Sequence, residues 1–279
     1  MSDIMRVGLC QINSQGDKEA NISRAEELID EAASRGARLI ALPEYVDYLG
    51  ADGAKDDVAE SIPGPTTDRF AAKAKQHNAY ILGGSIIEKT DTPGKFYNTS
   101  TLFNPQGEMI AAYRKIHLFD IDIAGNVSAN ESNRILPGND VVTAEVDGHT
   151  VGLTICYDVR FPELYRMLAL DGAEIIFVPA AFTEFTGKDH WHTLLKARAV
   201  ENQCFVVAPG QFGPHEPGKK CYGHSLAVDP WGTFLADAPN QEGVVIAELD
   251  FDYLNKIRTQ VPSLANRRPS AYEKQTARV

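Results

Sequence analysis

Residues 36–43 (GARLIALP) recur with the same chemical pattern at residues 172–179 (GAEIIFVP). Each stretch opens with a glycine, which commonly ends a helix, and continues into a short apolar run, which is typical of a buried strand. Farther upstream, the tripeptide VGL at residues 7–9 recurs at 151–153. These repeats predict that the order strand, helix, strand is used twice in the chain.

A second repeat lies farther along the chain. Residues 95–107 (KFYNTSTLFNPQG) recur 125 residues later as 220–232 (KCYGHSLAVDPWG), with Lys, Tyr, Ser, Pro and Gly at matching positions. This period is far longer than the 20 to 50 or so residues of a solenoid repeat. The repeats instead predict two similar halves related by a pseudo-twofold axis, in one α/β domain over residues 1–279. Its sheets would pack face to face with helices outside, as a four-layer α-β-β-α sandwich.

The spacing of apolar residues predicts the elements between these motifs. In chain order they are a strand at 7–12, a helix from about 18 to 36, a helix at about 66–77, strands at 79–87, 97–103 and 109–113, a long loop at 116–139, and a helix from Pro162 to about Leu170.

Composition excludes several classes of protein. The 279 residues include 27 basic and 38 acidic side chains, for a net charge of −11. Because no basic run is longer than a pair, nucleic-acid binding is not expected. The apolar runs, such as 175–181, are much shorter than the roughly 20 residues that cross a bilayer, and residues 1–10 lack the features of a signal peptide. We expect a soluble, cytoplasmic protein with neither a membrane nor a nucleic acid as partner.

The four cysteines do not form the spacings of a disulfide framework or a closed zinc site. A zinc site could be assembled from Cys221, His224 and the His190/His192 pair, but these residues lack a recognised ligand spacing. We therefore expect no metal and no organic cofactor. Three cysteines are expected to be buried thiols, whereas Cys156 is expected to be reactive.

Cys156 lies between the predicted strand 151–155 and a helix that begins at Pro162. A sharp turn between strand and helix is the geometry of a nucleophile elbow, which exposes the side chain beyond the sheet. The backbone N–H groups that follow would point at the same space, where they would suit an oxyanion hole.

Two charged residues are candidates to act with this thiol. Glu44 directly follows an apolar strand, where a carboxylate can be partly desolvated and serve as a base. Lys115 lies where a strand gives way to the loop 116–139, and a buried lysine there would stabilise a developing oxyanion. A cysteine–histidine pair using His117 or His224 is an alternative that their spacing does not favour.

Three segments that carry these residues, 42–44 (LPE), 113–118 (YRKIHL) and 155–163 (ICYDVRFPE), closely resemble the signature segments of the nitrilase, or carbon–nitrogen hydrolase, superfamily. Residues 131–133 (ESN) match in the loop between the second and third segments, and the resemblance extends over essentially the whole chain. It implies the same α-β-β-α sandwich, and it implies homodimers or larger homo-oligomers.

The resemblance also implies a role for each residue. Cys156 would be the nucleophile, Glu44 the general base and acid, Lys115 the oxyanion stabiliser together with the N–H of Tyr157, and Glu131 a second glutamate that positions Lys115 and the substrate. The implied reaction hydrolyses a small amide through a thioester on Cys156, with release of ammonia and without metal or cofactor.

Further resemblance lies at positions 182, 186–187, 190–191, 198–199, 203 and 222–225. These positions look most like the branch that contains deaminated glutathione amidase and ω-amidase, which act on amides of 2-oxo dicarboxylic acids. The resemblance makes Arg160 the candidate cation for a substrate carboxylate, with Tyr48, Tyr157, Phe182 and Thr186 as further substrate-binding residues. Bidentate pairing would suit an arginine in this role.

Two sets of alternatives remain open. Arg160 could instead form a structural ion pair with Glu163 or Asp158. The leading function is deaminated glutathione amidase, and its alternatives are an ω-amidase on 2-oxoglutaramate, a nitrilase and an N-carbamoyl amino acid hydrolase. A non-catalytic partner-binding protein that keeps the fold is an alternative of a different class.

Overall fold

The computed structural model describes residues 3–215 and 218–272, and seventeen strands lie in these two ranges. In chain order they are β1 (Ile4–Gln11), β2 (Leu39–Ala41), β3 (Tyr80–Leu82), β4 (Ile86–Lys89), β5 (Phe96–Phe103), β6 (Met109–Arg114), β7 (Asp120–Ile123), β8 (Val127–Asn130), β9 (Thr143–Val146), β10 (His149–Leu153), β11 (Ile175–Phe177), β12 (Phe205–Ala208), β13 (Phe212–His215), β14 (Lys219–Tyr222), β15 (Leu226–Val228), β16 (Phe234–Asp237) and β17 (Gly243–Asp250).

The α-helices of the described residues are α1 (Lys18–Ser34), α2 (Lys55–Val58), α3 (Pro65–His77), α4 (Pro162–Leu170), α5 (Glu184–Asn202), α6 (Phe251–Gln260) and α7 (Pro269–Tyr272). The helix predicted from Pro162 to Leu170 is confirmed. Among the described residues, no helix is long and apolar enough to cross a membrane.

The two large sheets repeat one topology, as the sequence motifs predict. In the first, β1, β2 and β3 are parallel, β17 pairs antiparallel with β1, and β5 pairs antiparallel with β3, β4 and β6. In the second, β10, β11 and β12 are parallel, β9 pairs antiparallel with β10, and β15 pairs antiparallel with β12 and β16. The α/β sandwich of two similar halves is therefore confirmed.

The alternation of side chains along the strands explains how the sheets and helices pack in layers. In β2, Leu39 and Ala41 pack into the same apolar cluster as Leu153 and Phe177 of the second sheet. The intervening Ile40 instead belongs to a cluster with the α1 and α3 helices. Because successive side chains on a strand point to opposite faces, this strand is buried between the partner sheet and a helix layer.

The strand predicted at 79–87 is wrong as one element, since it is broken into β3 and β4 at Gly83 and Gly84. Gly84 has φ of +62°, and a Cβ there would lie 2.0 Å from the carbonyl oxygen of Pro43. Only glycine fits this close approach. The break lets the segment after β2 lie against β4, where the N–H of Tyr45 donates to the Ser85 hydroxyl at 3.0 Å.

The loop predicted at 116–139 contains secondary structure of its own. β7 and β8 form a two-stranded hairpin, and a single 3-10 turn over Glu131–Asn133 follows it. This hairpin places Glu131 beside the end of β6, where Lys115 lies.

Candidate active site

The Glu44 side chain lies at the junction of the two halves and is only 2% exposed. Its Oε1 accepts hydrogen bonds from Lys115 Nζ and from Asn98 Nδ2, each at 2.9 Å. Its Oε2 accepts from the backbone N–H of Ala181 at 2.7 Å. Because Ala181 belongs to the second half of the chain, both halves fix the orientation of this carboxylate.

Lys115 follows β6 and is as buried as Glu44. Besides its bond to Glu44, its Nζ donates to Glu131 Oε2 at 2.9 Å and to Oε1 at 3.2 Å. Burial alone would lower the pKa of Lys115, but the carboxylates of Glu131 and Glu44 outweigh it and hold the pKa well above its ordinary value. The ammonium is therefore retained at neutral pH, with its charge at the base of the site.

Glu131 is the second carboxylate on Lys115. Burial would raise the pKa of Glu131, but the Lys115 ammonium holds it below its ordinary value, assisted by hydrogen bonds from the N–H of Phe119 and the hydroxyl of Tyr45, both at 2.7 Å. Glu131 thus stays ionised, and it fixes the position of the lysine.

Cys156 has the strained backbone of a nucleophile elbow. Its φ is +46°, an uncommon value for a residue other than glycine. Its N–H donates to the Pro179 carbonyl at 2.9 Å, and it opens a 3-10 helix over Cys156–Arg160. The N–H groups of a first helical turn lack partners within the helix, so the Tyr157 N–H is available beside the thiol.

The elbow is anchored by the fully buried Asp158. Its Oδ2 accepts from the Tyr113 hydroxyl at 2.7 Å and from the N–H of Ile155 at 2.8 Å. Its Oδ1 lies 2.7 Å from Nδ1 of His117. These contacts tie the elbow to the end of β6, the strand that presents Lys115.

Opposing charges act on the Cys156 thiol. Burial and the nearby Glu44 carboxylate raise its pKa well above the ordinary value, whereas the Lys115 ammonium acts in the opposite direction. At neutral pH the resting group is therefore a thiol and not a thiolate. A base is needed to remove its proton, and Glu44 is the carboxylate in position to do so.

Glu44, Lys115, Glu131 and Cys156 together line a cavity of about 520 Å³. The four further side chains expected to bind substrate also line it: Tyr48, Tyr157, Phe182 and Thr186. The Tyr48 hydroxyl donates to the Ala51 carbonyl at 2.9 Å. A cavity of this size suits a small organic molecule.

Arg160 is not among the residues that line this cavity. Its guanidinium lies 5.3 Å from the ring centroid of Phe182 and 5.7 Å from that of Tyr157, so it contacts two aromatic residues that line the cavity. The alternative ion pair with Glu163 or Asp158 is wrong for the described residues, where no such bridge forms and Asp158 bonds instead to the elbow and β6.

The histidine alternatives are not brought to the thiol. His117 stacks on Phe161 with ring centroids 3.6 Å apart, and His224 pairs with Asp237 at 2.9 Å. Neither lines the cavity. The proposed zinc set is not assembled either, since Cys221 is buried and His190 lies beside Arg160, with 3.4 Å between Nδ1 and the guanidinium.

Sequence reasoning missed several residues of the site. Asn98 donates a hydrogen bond to Glu44 and Tyr45 donates one to Glu131, so each is linked to the site through a glutamate. Tyr45 directly follows the LPE segment. It also missed the basic side chains around the cavity mouth, because they come from three separate parts of the chain. They are Lys55, Arg134, His215, Lys219 and Lys220.

The chain matches the family model described as carbon-nitrogen hydrolase over residues 6–259. It is 44% identical over 261 residues to the deaminated glutathione amidase of Synechocystis, covering 92% of this chain and 96% of the relative. It is 39% identical to the human protein named Omega-amidase NIT2, covering 96% of each. The crystal structure of the C. elegans NitFhit protein superimposes with a TM-score of 0.91 at 34% identity, covering 97% of this chain and 66% of that one.

The chain belongs to the carbon–nitrogen hydrolase family. The family match spans far more than half of the sequence, and it includes all four residues of the buried site, Glu44, Lys115, Glu131 and Cys156. The resemblance recognised from the three signature segments is therefore confirmed. This carbon–nitrogen hydrolase has its acid, base and thiol candidates in a single cavity.

Proposed function

We propose that the protein is an amidase that hydrolyses deaminated glutathione through a thioester on Cys156. The observation that carries the proposal is the buried chain of contacts from Asn98 through Glu44 and Lys115 to Glu131, beside the Cys156 elbow. A carboxylate, an ammonium and a thiol in this arrangement serve acyl transfer to the thiol.

In the first half of the reaction, Glu44 takes the thiol proton as the Cys156 sulfur attacks the amide carbon. The carbonyl oxygen becomes an oxyanion, held by Lys115 Nζ and the Tyr157 N–H. The C–N bond then breaks, Glu44 returns the proton to the departing amine, and a thioester remains on Cys156.

In the second half, Glu44 removes a proton from water as the water oxygen attacks the thioester carbon. The same oxyanion site holds the second tetrahedral intermediate. Its collapse breaks the C–S bond, releases the carboxylic acid and returns the proton to Cys156. One carboxylate thus acts as base and acid in both steps.

The leaving amine depends on the substrate. A primary amide such as 2-oxoglutaramate releases ammonia, as the sequence analysis expects. In deaminated glutathione the amide nitrogen belongs to the cysteine of the tripeptide, so the leaving amine is cysteinylglycine. Both reactions release 2-oxoglutarate, so the amine product is what distinguishes them.

The cations at the cavity mouth support an acidic substrate. Lys55 pairs with Asp52 at 2.8 Å and Lys220 with Glu184 at 2.5 Å, whereas Lys219 is exposed and has no ion pair within the described residues. Deaminated glutathione carries two carboxylates, one at each end, and 2-oxoglutaramate carries one. A cation beyond the reactive centre favours the longer substrate, as does the similarity to the Synechocystis enzyme.

The proposal is tested by incubating the protein with deaminated glutathione, 2-oxoglutaramate, glutamine, an N-carbamoyl amino acid and a simple nitrile, with acid and amine products identified by mass spectrometry. We expect turnover of deaminated glutathione to exceed that of 2-oxoglutaramate, and Cys156→Ala to abolish it. Preference for 2-oxoglutaramate would make the protein an ω-amidase, and turnover of only the nitrile or carbamoyl compound would make it a nitrilase or a carbamoyl hydrolase. No turnover of any compound would favour a non-catalytic binding protein.

The substrate carboxylate is tested with Lys219→Ala. We expect KM for deaminated glutathione to rise about tenfold with little change in kcat, because the lost contact is remote from the reacting atoms. Arg160→Ala is the comparison, since Arg160 does not line the cavity; its effect should be smaller and similar on acidic and neutral amides. A larger and selective effect of Arg160→Ala would restore Arg160 as the carboxylate partner.

We also propose that the chain assembles as a homodimer or a larger homo-oligomer. Exposed apolar side chains support this assembly, among them Met167 and Leu170 of α4 and Val200 of α5, each about half exposed, and Trp231, which is 60% exposed. The turn at Gly232 packs against Val200. Light scattering is expected to give at least twice the chain mass of 30.5 kDa; a monomer at micromolar concentration would contradict it.

Finally, we propose that the protein acts in the cytoplasm. Its four cysteines are free and buried, which suits a reducing compartment. Fractionation of the source cells with an antibody to this chain is the test, and recovery outside the cytoplasm would overturn it.

A further inference from the structure

Two histidines and an aspartate converge at a place outside the lining of the catalytic cavity. His192 lies on α5, His224 lies two residues before β15, and Asp237 ends β16. His192 Nε2 is 2.9 Å from Asp237 Oδ2, and His224 Nδ1 is 2.9 Å from Asp237 Oδ1. All three donor atoms lie within 4.8 Å of one another.

The two 2.9 Å separations between a histidine nitrogen and an Asp237 oxygen suit a divalent first-row metal ion. Metal–nitrogen and metal–oxygen bonds are about 2.0–2.2 Å long, so neighbouring ligand atoms around one ion are roughly 3 Å apart. Two imidazoles and one carboxylate are ligands that such ions prefer. Each of the three side chains is about one-third exposed, so solvent can complete the coordination.

The three groups are held in place before any ion arrives. His224 has φ of +53°, in the left-handed region, and its carbonyl accepts a hydrogen bond from the Trp191 indole at 2.9 Å. Its ring stacks on Tyr222 at 4.5 Å between centroids, and the His192 ring lies edge-on to Phe234 at 5.4 Å. Ligands whose side chains are fixed by packing lose little freedom on binding.

We propose that His192, His224 and Asp237 form a binding site for a divalent transition-metal ion such as Zn²⁺. None of the three lines the catalytic cavity, so the site is separate from the thiol chemistry and does not depend on the proposed function. It joins α5, β15 and β16, and it touches β14 through Tyr222. The same strand carries Lys219 and Lys220 at the cavity mouth.

The test is a titration of tag-free protein with Co²⁺, whose visible absorption reports both coordination geometry and any thiolate ligand, followed by displacement with Zn²⁺. The Cys156→Ala background removes the catalytic thiol as a competing ligand. In that background we compare His192→Ala, Asp237→Asn and His224→Asn, the last because asparagine tolerates the left-handed backbone. His190→Ala is the matched control, since it removes a neighbouring histidine of α5 that is outside the cluster.

We expect one ion per chain with no thiolate absorption, and an affinity that falls at least tenfold in each of the three cluster variants but not in His190→Ala. Circular dichroism checks that each variant is folded. Equal affinity in all variants, or binding that is lost on removing Cys156 alone, would overturn the proposal. A variant that fails to fold leaves the other two to decide.

Discussion

The Glu44 carboxylate divides its two oxygens between the halves of the fold. Oε1 bonds to Lys115 and Asn98 of the first half, and Oε2 bonds to the Ala181 N–H of the second. The proposed base is thus held from both sides and is kept from rotating away from the thiol. This is the preorganisation that general base catalysis requires.

The opposing charges of Glu44 and Lys115 lead to a prediction about the reactivity of the Cys156 thiol. The Glu44 carboxylate raises the pKa of the thiol and the Lys115 ammonium lowers it, so Glu44→Gln should lower the pKa of the thiol while nearly abolishing turnover. We expect iodoacetamide to label Cys156 of the variant several-fold faster than the parent at pH 7. Slower labelling would contradict the electrostatic account, and turnover near the parent rate would move the role of base to another residue.

The sequence predicts Glu44, Lys115 and Cys156 because each ends an apolar strand, and Glu131 through the family resemblance. It does not predict the backbone N–H of Ala181 or the amide of Asn98, because both hydrogen bonds join segments that are far apart in the chain and depend on how those segments pack. Arg160 shows the converse, since its place after the elbow puts it beside the rings of Tyr157 and Phe182 but not in the cavity lining.

At the scale of elements, the break between β3 and β4 helps to position Glu44, the proposed base. Gly84 lies against the carbonyl of Pro43, one residue before Glu44. The sequence predicts a continuous strand here because the flanking residues are apolar and β-branched. Periodicity does not reveal a close contact with a neighbouring segment, and a pair of glycines is the only local signal of it.

Gly84→Ala tests this contact. We expect kcat to fall at least tenfold, and we expect a stability loss of about 1–2 kcal/mol from the left-handed backbone, with roughly 1–3 kcal/mol more from the clash. Gly125→Ala is the matched control, since Gly125 has φ of +75° and an added Cβ would meet nothing within 4 Å. Equal effects of the two substitutions would show that backbone conformation alone matters.

At the scale of the whole molecule, the internal repeat accounts for the sandwich and for the location of the site. Each large sheet has three parallel strands flanked by antiparallel ones, and Glu44 of one half and Cys156 of the other line the same cavity. The repeat could be read from sequence because its turns and strand ends are short and local. The edge pairing of β17 with β1 joins distant segments, and no local pattern predicts it.

The buried Asp47 predicts how global stability varies with pH. Burial raises the pKa of its carboxyl from 3.8 to about 7, and its Oδ1 has no hydrogen-bond partner. The folded state therefore keeps a proton that the unfolded chain loses, and stability falls as pH rises from about 4 to about 7.

Asp47→Asn should remove this dependence. We expect the difference in Tm, variant minus parent, to be larger at pH 8 than at pH 5 by on the order of 5 °C. Asp91→Asn, which alters an exposed acid, is the control and should show no such difference. A Tm difference that does not change with pH would mean that Asp47 is ionised throughout.

The central claim is that Cys156 carries the acyl group during turnover. The direct measurement is acid quenching of the protein within its first turnovers of deaminated glutathione, followed by intact-protein and peptide mass spectrometry. We predict a 2-oxoglutaryl group on the peptide that contains Cys156, which disappears as substrate is exhausted and never forms in Cys156→Ala. Turnover without any adduct on Cys156, or an adduct on a different residue, would contradict the account.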